Sequence, residues 1–240
     1  MTMRIAKFMA RSGVCSRRQA EELVSQGRVT VNGVVVESPA YNVEGNEKIL
    51  LDGEKLPQQQ ITRMWLYHKP AGLVTSHKDE KNRATVFDNL PDNLPRVISV
   101  GRLDLNSEGL LLLTNNGELS RKLELPSNGW ARRYKVRVFG FVNENSLQKL
   151  QKGVVVDGIE YGAIRAEVES KQGANTWLSV TLKEGKNREI RKVMKYLGLE
   201  VSRLIRLSYG PFQLGSLKKG EVKEVPQKVL REQLGEKFEL

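Results

Sequence analysis

The chain is poor in the residues that build most cofactor sites. It has 240 residues, one cysteine (Cys15) and two histidines (His68 and His77). One cysteine forms no internal disulfide, which suits a reducing cytoplasm. Three such ligands do not build a usual zinc cage, so no metal site is expected. No run of eighteen apolar residues exists, so no membrane span and no membrane partner are expected. The opening Met-Thr-Met-Arg-Ile-Ala-Lys has no apolar core of a secretory signal. Gly185-Lys186 lacks both the upstream glycine and the following Ser or Thr of a phosphate loop. There is no G-x-S-x-G elbow, and no G-x-G-x-x-G follows a strand pattern. What remains is carboxylate chemistry assisted by cations and a phenol, with no cofactor.

Acidic residues are also short. There are 28 Asp and Glu against 39 Lys and Arg, a net charge of +11. Such a balance points to a polyanion, most simply nucleic acid, because neutralising phosphates releases counterions. No basic amphipathic helix with an aromatic face supports an acidic membrane surface instead.

Residues 1–52 read as a small separate module. Ile5, Phe8 and Met9 fall at helical spacing, and Gly13 can end that helix. Ser16-Arg-Arg-Gln19 is a capping-box pattern opening a second helix. Asn32-Gly33 between β-branched runs signals a hairpin. Arg4, Lys7, Arg11, Arg17, Arg18 and Arg28 give this module six cations against Glu21 and Glu22 over the same stretch. A solvated helix face is the bland reading of such a cluster; phosphate binding is the other, since Arg17 and Arg18 open a helix. Residues 53–63, with Asp52-Gly53 before them and Pro57-Gln-Gln-Gln60 inside, read as a linker.

From residue 64 to 240 many strand patterns are joined by hairpin signals, with few helices between them. That composition predicts an α+β fold with a large mixed, mainly antiparallel sheet flanked by helices. Strands are expected at 64–70, on both sides of residues 101–109, and at 134–139, 177–182 and 201–207. Helices are expected at 118–123, 143–150, 187–197 and from Gln227, and the polar, proline-containing segment 77–96 reads as a surface excursion. Asp104 falls in a turn-like segment between apolar runs ending at Val100 and starting at Leu110. Read locally, it is an ordinary turn aspartate bonding its own backbone. Loops on a rigid scaffold are also where catalytic groups are placed.

A second cationic cluster runs from Lys183 to Arg206, with eight basic residues and three acids. Part of it opens a helix, where cations oppose the helix dipole. Helix stability therefore does not explain them. A phosphate or a carboxylate would; a solvated basic face is the alternative.

Two resemblances sharpen these readings. Ala10-Arg-Ser-Gly-Val-Cys-Ser-Arg-Arg-Gln-Ala-Glu-Glu-Leu-Val24 and Gly27-Arg-Val-Thr-Val-Asn-Gly33 resemble the S4 RNA-binding domain. Lys69-Pro-Ala-Gly72, Gly101-Arg-Leu-Asp104, Gly109-Leu-Leu-Leu-Leu-Thr114, Arg133-Tyr-Lys-Val-Arg-Val138, Leu182-Lys-Glu-Gly-Lys-Asn-Arg-Glu-Ile-Arg191 and Leu204-Ile-Arg-Leu-Ser-Tyr-Gly210 resemble, in order, the pseudouridine synthases that modify the ribosomal RNA of the small or the large ribosomal particle. The resemblance implies a reaction without cofactor: the N1–C1′ bond of a uridine breaks, the base rotates, and it rejoins through C5. It implies that Asp104 is the nucleophile, attacking C6 of the base or C1′ of the sugar. Arg102 then matches the residue that helps flip the nucleotide, and Tyr134 the tyrosine that stacks on the uracil. Lys186 matches the cation paired with the aspartate, with Arg188 and Arg191 close by as RNA contacts. Asn116 stands where many relatives have Asp, a change expected to have no consequence because either residue tolerates that turn. The implied partner is ribosomal RNA. The Arg-Arg-Tyr-Lys-Val-Arg-Val-Phe-Gly segment and Asn106 lean towards the group acting on 23S RNA, with the 16S group as alternative. The chain is expected to act as a monomer. A non-catalytic RNA-binding assembly factor is the reading from another class.

Overall fold

The computed structural model describes residues 2–235. The N-terminal unit contains β1 (Met3–Arg4), α1 (Ile5–Arg11), α2 (Arg17–Ser25), β2 (Val29–Val31), β3 (Val34–Val35), β4 (Asn42–Val43), β5 (Ile49–Leu51) and β6 (Glu54–Lys55). The capping box forms: Ser16 Oγ accepts from the Gln19 N–H at 3.1 Å, and Gln19 Oε1 accepts from the Ser16 N–H at 2.9 Å. Asn32 and Gly33 both take positive φ (51° and 84°), which a two-residue hairpin of this twist requires. Asp52-Gly53 repeats the device between β5 and β6. Ile5, Met9, Ala20, Val24, Val29 and Leu56 share one buried core. Residues 53–56 thus pair and pack with this unit instead of linking it onward. Only 57–63 connect.

The second unit holds β7 (Met64–Lys69), β8 (Ile98–Val100), β9 (Glu108–Thr114), α3 (Gly117–Glu124), β10 (Arg132–Phe139), α4 (Glu144–Lys149), β11 (Val154–Val156), β12 (Ile159–Tyr161), β13 (Ile164–Gln172), β14 (Asn175–Leu182), α5 (Glu189–Tyr196), β15 (Glu200–Tyr209), β16 (Phe212–Gln213), β17 (Val222–Glu224) and α6 (Gln227–Leu234). Its nine-stranded sheet runs β13-β14-β10-β15-β9-β7-β17, with β8 beside β9 and β16 beside β15. Every pairing is antiparallel except β15 with β9. This is the expected α+β fold.

Strand β9 lies in its interior, between β15 and β7. Leu111 and Leu113 face one core with Trp65, Tyr67, Val97 and Leu103. Leu110 and Leu112 face another with Leu119, Leu123 and Leu230. Burial on both faces is why this strand reads as a continuous leucine run without alternation. Strand β10 alternates instead. Tyr134, Val136 and Val138 pack under α4 and α5 with Leu147, Ile190, Val193 and Met194. The segment 77–96 is more than a surface excursion: Val86 is fully buried, and Thr85 bridges to Val74. No helix among the described residues is long and apolar enough to cross a membrane.

Candidate active site

One row of the sheet sets the site. Tyr134 on β10 is the partner of Arg206 on β15, Arg206 of Gly109 on β9, and Gly109 of Lys69 on β7. Neighbouring strands lie about 4.8 Å apart, so the row spans roughly 14 Å. The loop carrying Asp104 joins this row at Gly109. At Gly109 φ is +103°, and a Cβ there would stand 2.3 Å from the Arg206 carbonyl oxygen. Only glycine lets the parallel pair close at that point.

The Asp104 loop is held through its backbone. The Thr75 hydroxyl donates to Leu103 O at 2.8 Å. The buried Lys69 ammonium donates to Asp104 O (3.2 Å), Leu105 O (3.4 Å), Ser107 O (2.9 Å) and its neighbour Pro70 O (3.0 Å). The Gly72 N–H also donates to Leu105 O, and the Ser107 N–H to Asp104 O. The Arg191 guanidinium donates to Asn106 O at 2.9 Å and to Val201 O at 3.0 Å. Every carbonyl from Leu103 to Ser107 therefore has a donor, and the Asp104 carboxylate is left free to face outward. Its side chain is 32% exposed.

Lys69 is fully buried and makes no ion pair among the described residues. Burial pulls its pKa down to about 8, against the raising fields of Asp104 and Glu108, while the Arg206 charge lowers it further. Glu108, just after the loop, is clamped by Arg203 at 2.8 Å and Lys219 at 2.6 Å. The Arg203 bond is the main reason its pKa sits low, at about 2, against the opposing effect of burial.

The cation beside Asp104 is Arg188, whose Nη1 lies 3.5 Å from Oδ2. This corrects the expectation for Lys186. The Lys186 ammonium instead pairs with Glu184 at 2.8 Å and donates to Glu160 O at 2.6 Å. The turn at 185–187 aims residues 186 and 188 in different directions. Arg188 caps α5 in the left-handed region (φ 52°, ψ 30°) without a side-chain cap. The other non-glycine residues with positive φ among those described are Asn or Asp. An arginine there carries about 1–2 kcal/mol of strain, and such strain gathers at functional sites.

Tyr134 is buried but for 8% and shares a sheet face with Arg206. Arg102 is exposed and makes no ion pair among the described residues. The N-terminal cations divide. Lys7 and Arg11 reach Glu118 of the second unit, Arg17 faces Glu21 at 3.7 Å, and Arg28 is bidentate on Asp52. Arg4 and Arg18 are exposed without an ion pair among the described residues. Asn116 is the N-cap of α3. Its Oδ1 caps α3 by accepting from the Glu118 N–H at 2.9 Å, and its Nδ2 donates to Thr62 Oγ1 at 2.8 Å. An aspartate would keep the cap and accept from the Thr62 hydroxyl in place of the amide bond.

Lys69, Thr75 and Arg206 carry no assigned role at the sequence level. Parity could have found two of them. Lys69 stands two residues from Tyr67 and four from Trp65, on the buried face of an alternating strand. Arg206 likewise follows Leu204. Among the described residues no group of three His, Cys, Asp or Glu could hold a metal ion.

The site thus offers one outward carboxylate on a fixed loop, a strained arginine beside it and a tyrosine along the row. The family model described as RNA pseudouridylate synthase matches residues 63–196, and that of the S4 domain matches residues 3–49. The chain belongs to the RNA pseudouridylate synthase family. A Rickettsia felis protein named "Uncharacterized RNA pseudouridine synthase" is 48% identical over 95% of this chain and 98% of its own length. The "Ribosomal large subunit pseudouridine synthase B" of Yersinia pestis is 39% identical over 89% of this chain and 69% of its own. A solved structure titled "Crystal structure of pseudouridylate synthase" superposes with a TM-score of 0.67 at 27% identity, covering 97% of this chain and all of that one. As a pseudouridine synthase the protein is an isomerase acting on RNA, and the assembly-factor reading falls.

Proposed function

We propose that this pseudouridine synthase uses Asp104 as its nucleophile on a uridine of 23S ribosomal RNA. The observation that carries the assignment is the loop itself: five consecutive carbonyls are held, and the one side-chain acid among those residues meets Arg188. A flipped uridine stacks on Tyr134. An Asp104 oxygen forms a bond to C6 or C1′, and the N1–C1′ bond breaks. The base rotates and C5 bonds to C1′. The proton on C5 leaves to N1, and the carboxylate is released, so no atom is gained or lost. Arg188 steadies the carboxylate, and Arg102 is free to meet the displaced strand.

The first unit anchors the RNA, with Arg4 and Arg18 as its uncommitted cations and Arg17, Arg28, Lys7 and Arg11 exchanging carboxylates for phosphates. We divide the chain accordingly into an RNA-anchoring unit ending near residue 56 and a catalytic unit from residue 64. The relatives named for the large ribosomal particle support the 23S target, and a monomer in the cytoplasm suits it. Mapping pseudouridines in both ribosomal RNAs from cells lacking the protein tests this. One 23S site should be lost, restored by the wild-type gene and not by Asp104→Asn. Loss of a 16S site instead moves the target to the small particle.

A further inference from the structure

The sheet has a second, uncovered half-face that the reaction does not use. On β10, Tyr134, Val136 and Val138 point towards α4 and α5. By alternation Arg133, Lys135 and Arg137 point the other way, about 6.8 Å apart. Arg137 lies in register between Trp177 on β14 and Arg203 on β15. Lys135, Arg137 and Arg203 stand 5.1, 5.9 and 6.0 Å from the Trp177 ring centre. Three cations are thus gathered over one half-buried indole.

Their charge is not balanced. Lys135 has Glu169 at 3.4 Å. Arg203 and Lys219 share the single Glu108 carboxylate. Among the described residues Arg137 and Arg133 bond only neutral acceptors, Ser202 Oγ and Gln213 Oε1. Arg165 and Glu167 on β13 cancel, and Glu200 stands opposite Phe139 at the strand end. Among the described residues five cations therefore face three acids. Like charges directly opposite on a sheet destabilise it, so Arg137 across from Arg203 is poor design for stability alone. A phosphate between them removes the conflict.

We propose that this face, built on Lys135, Arg137, Arg203 and Trp177, is a second RNA-binding surface, which holds the sugar-phosphate backbone of the substrate beyond the segment in the active site. The face lies on the reverse of the sheet from Tyr134. A long RNA therefore gains from it, and a short stem-loop that fills only the active site does not. The target RNA is that of the proposed function.

The test compares the full-length protein with Lys135→Gln/Arg137→Gln on a long ribosomal RNA fragment and on a short stem-loop carrying the target uridine. Wild-type turnover of the stem-loop is the control that separates a wrong target from a wrong surface. The double variant should bind the long RNA about five- to tenfold more weakly near 0.1 M salt. The slope of log K against log salt should fall by roughly one to two. Turnover of the stem-loop should be unchanged. Glu169→Gln, which frees Lys135, should shift affinity and slope the opposite way, and it decides the matter if the double variant misfolds. Wild-type affinity and slope on long RNA overturn the proposal. So does an equal loss on both RNAs, or a loss confined to protein-containing ribosomal particles, which would assign the face to an acidic protein.

Discussion

Loop 101–107 is held through its backbone, whereas loop 183–188 is held largely through its side chains. In the first, Lys69, Thr75, Gly72 and Arg191 bond main-chain carbonyls, so the position of Asp104 barely depends on its neighbours' side chains. In the second, Glu184 takes the Gly162 N–H and the Lys186 ammonium, and Glu189 takes the Lys186 N–H at 3.0 Å. Arg188 emerges from that frame strained. The difference teaches that the proposed nucleophile is fixed by geometry and its cationic neighbour by electrostatics. The first should hold until pH rises towards about 8, where Lys69 gives up a donor proton, and the second should respond near pH 7, where Glu189 titrates.

The largest effect is expected where the backbone frame closes. Gly109→Ala drives a methyl into the Arg206 main chain at a positive φ. It should cost about 3 kcal/mol or more in urea unfolding; a loss below about 1 kcal/mol would mean that the β9–β15 junction is loose. Next comes Lys69→Met, which strips donors from Asp104, Leu105 and Ser107 while keeping an apolar stem. A displacement of about 1 Å can cost about a hundredfold in rate. Turnover should fall by that order with RNA affinity held within a few-fold, and unchanged turnover would break the backbone half of the comparison.

Arg188→Gly separates strain from function. It relieves the left-handed cap and should stabilise the fold by up to about 1 kcal/mol, yet lower turnover by about tenfold or more through the lost charge beside Asp104. Melting and rate moving in the same direction would refute the strained-cap reading. The smallest effect concerns Glu189. Burial, then the Glu184 carboxylate, raise its pKa from 4.5 to about 7. The folded chain therefore binds more protons than the unfolded one between those values, so its stability from this group falls as pH rises through that window. Glu189→Gln removes the dependence. Its stability relative to wild type should rise by about 1 kcal/mol from pH 4.5 to pH 7 and then level off, and a flat difference in pH-dependent denaturation would contradict this.

Much of this was legible in the chain. Asn32-Gly33 and Ser16-Arg-Arg-Gln19 set their turn and cap by local chemistry, which does not depend on distant partners. The leucine run of β9 was read as a strand, and the structure adds that it is buried on both faces. Asp104 was singled out because its loop is bracketed by strands and its motif is ordered among others. The partner of Asp104 was not found. Lys186 and Arg188 are two residues apart on one turn, and only the left-handed backbone at Arg188 decides which reaches the acid. Lys69 went without a role for a related reason: its acceptors lie up to 38 residues away in sequence. The commitment of Lys7 and Arg11 to Glu118, 111 residues from Lys7, was equally hidden.

Purified Asp104→Asn tests the central claim most directly, because the swap keeps size and the backbone frame while removing the charge. Single-turnover assay on ribosomal RNA should yield no pseudouridine above background, with RNA binding within about twofold of wild type, since affinity rests on phosphate contacts elsewhere. Pseudouridine formed at the wild-type rate would contradict the account, because the one carboxylate that the loop presents would then have no part in the reaction.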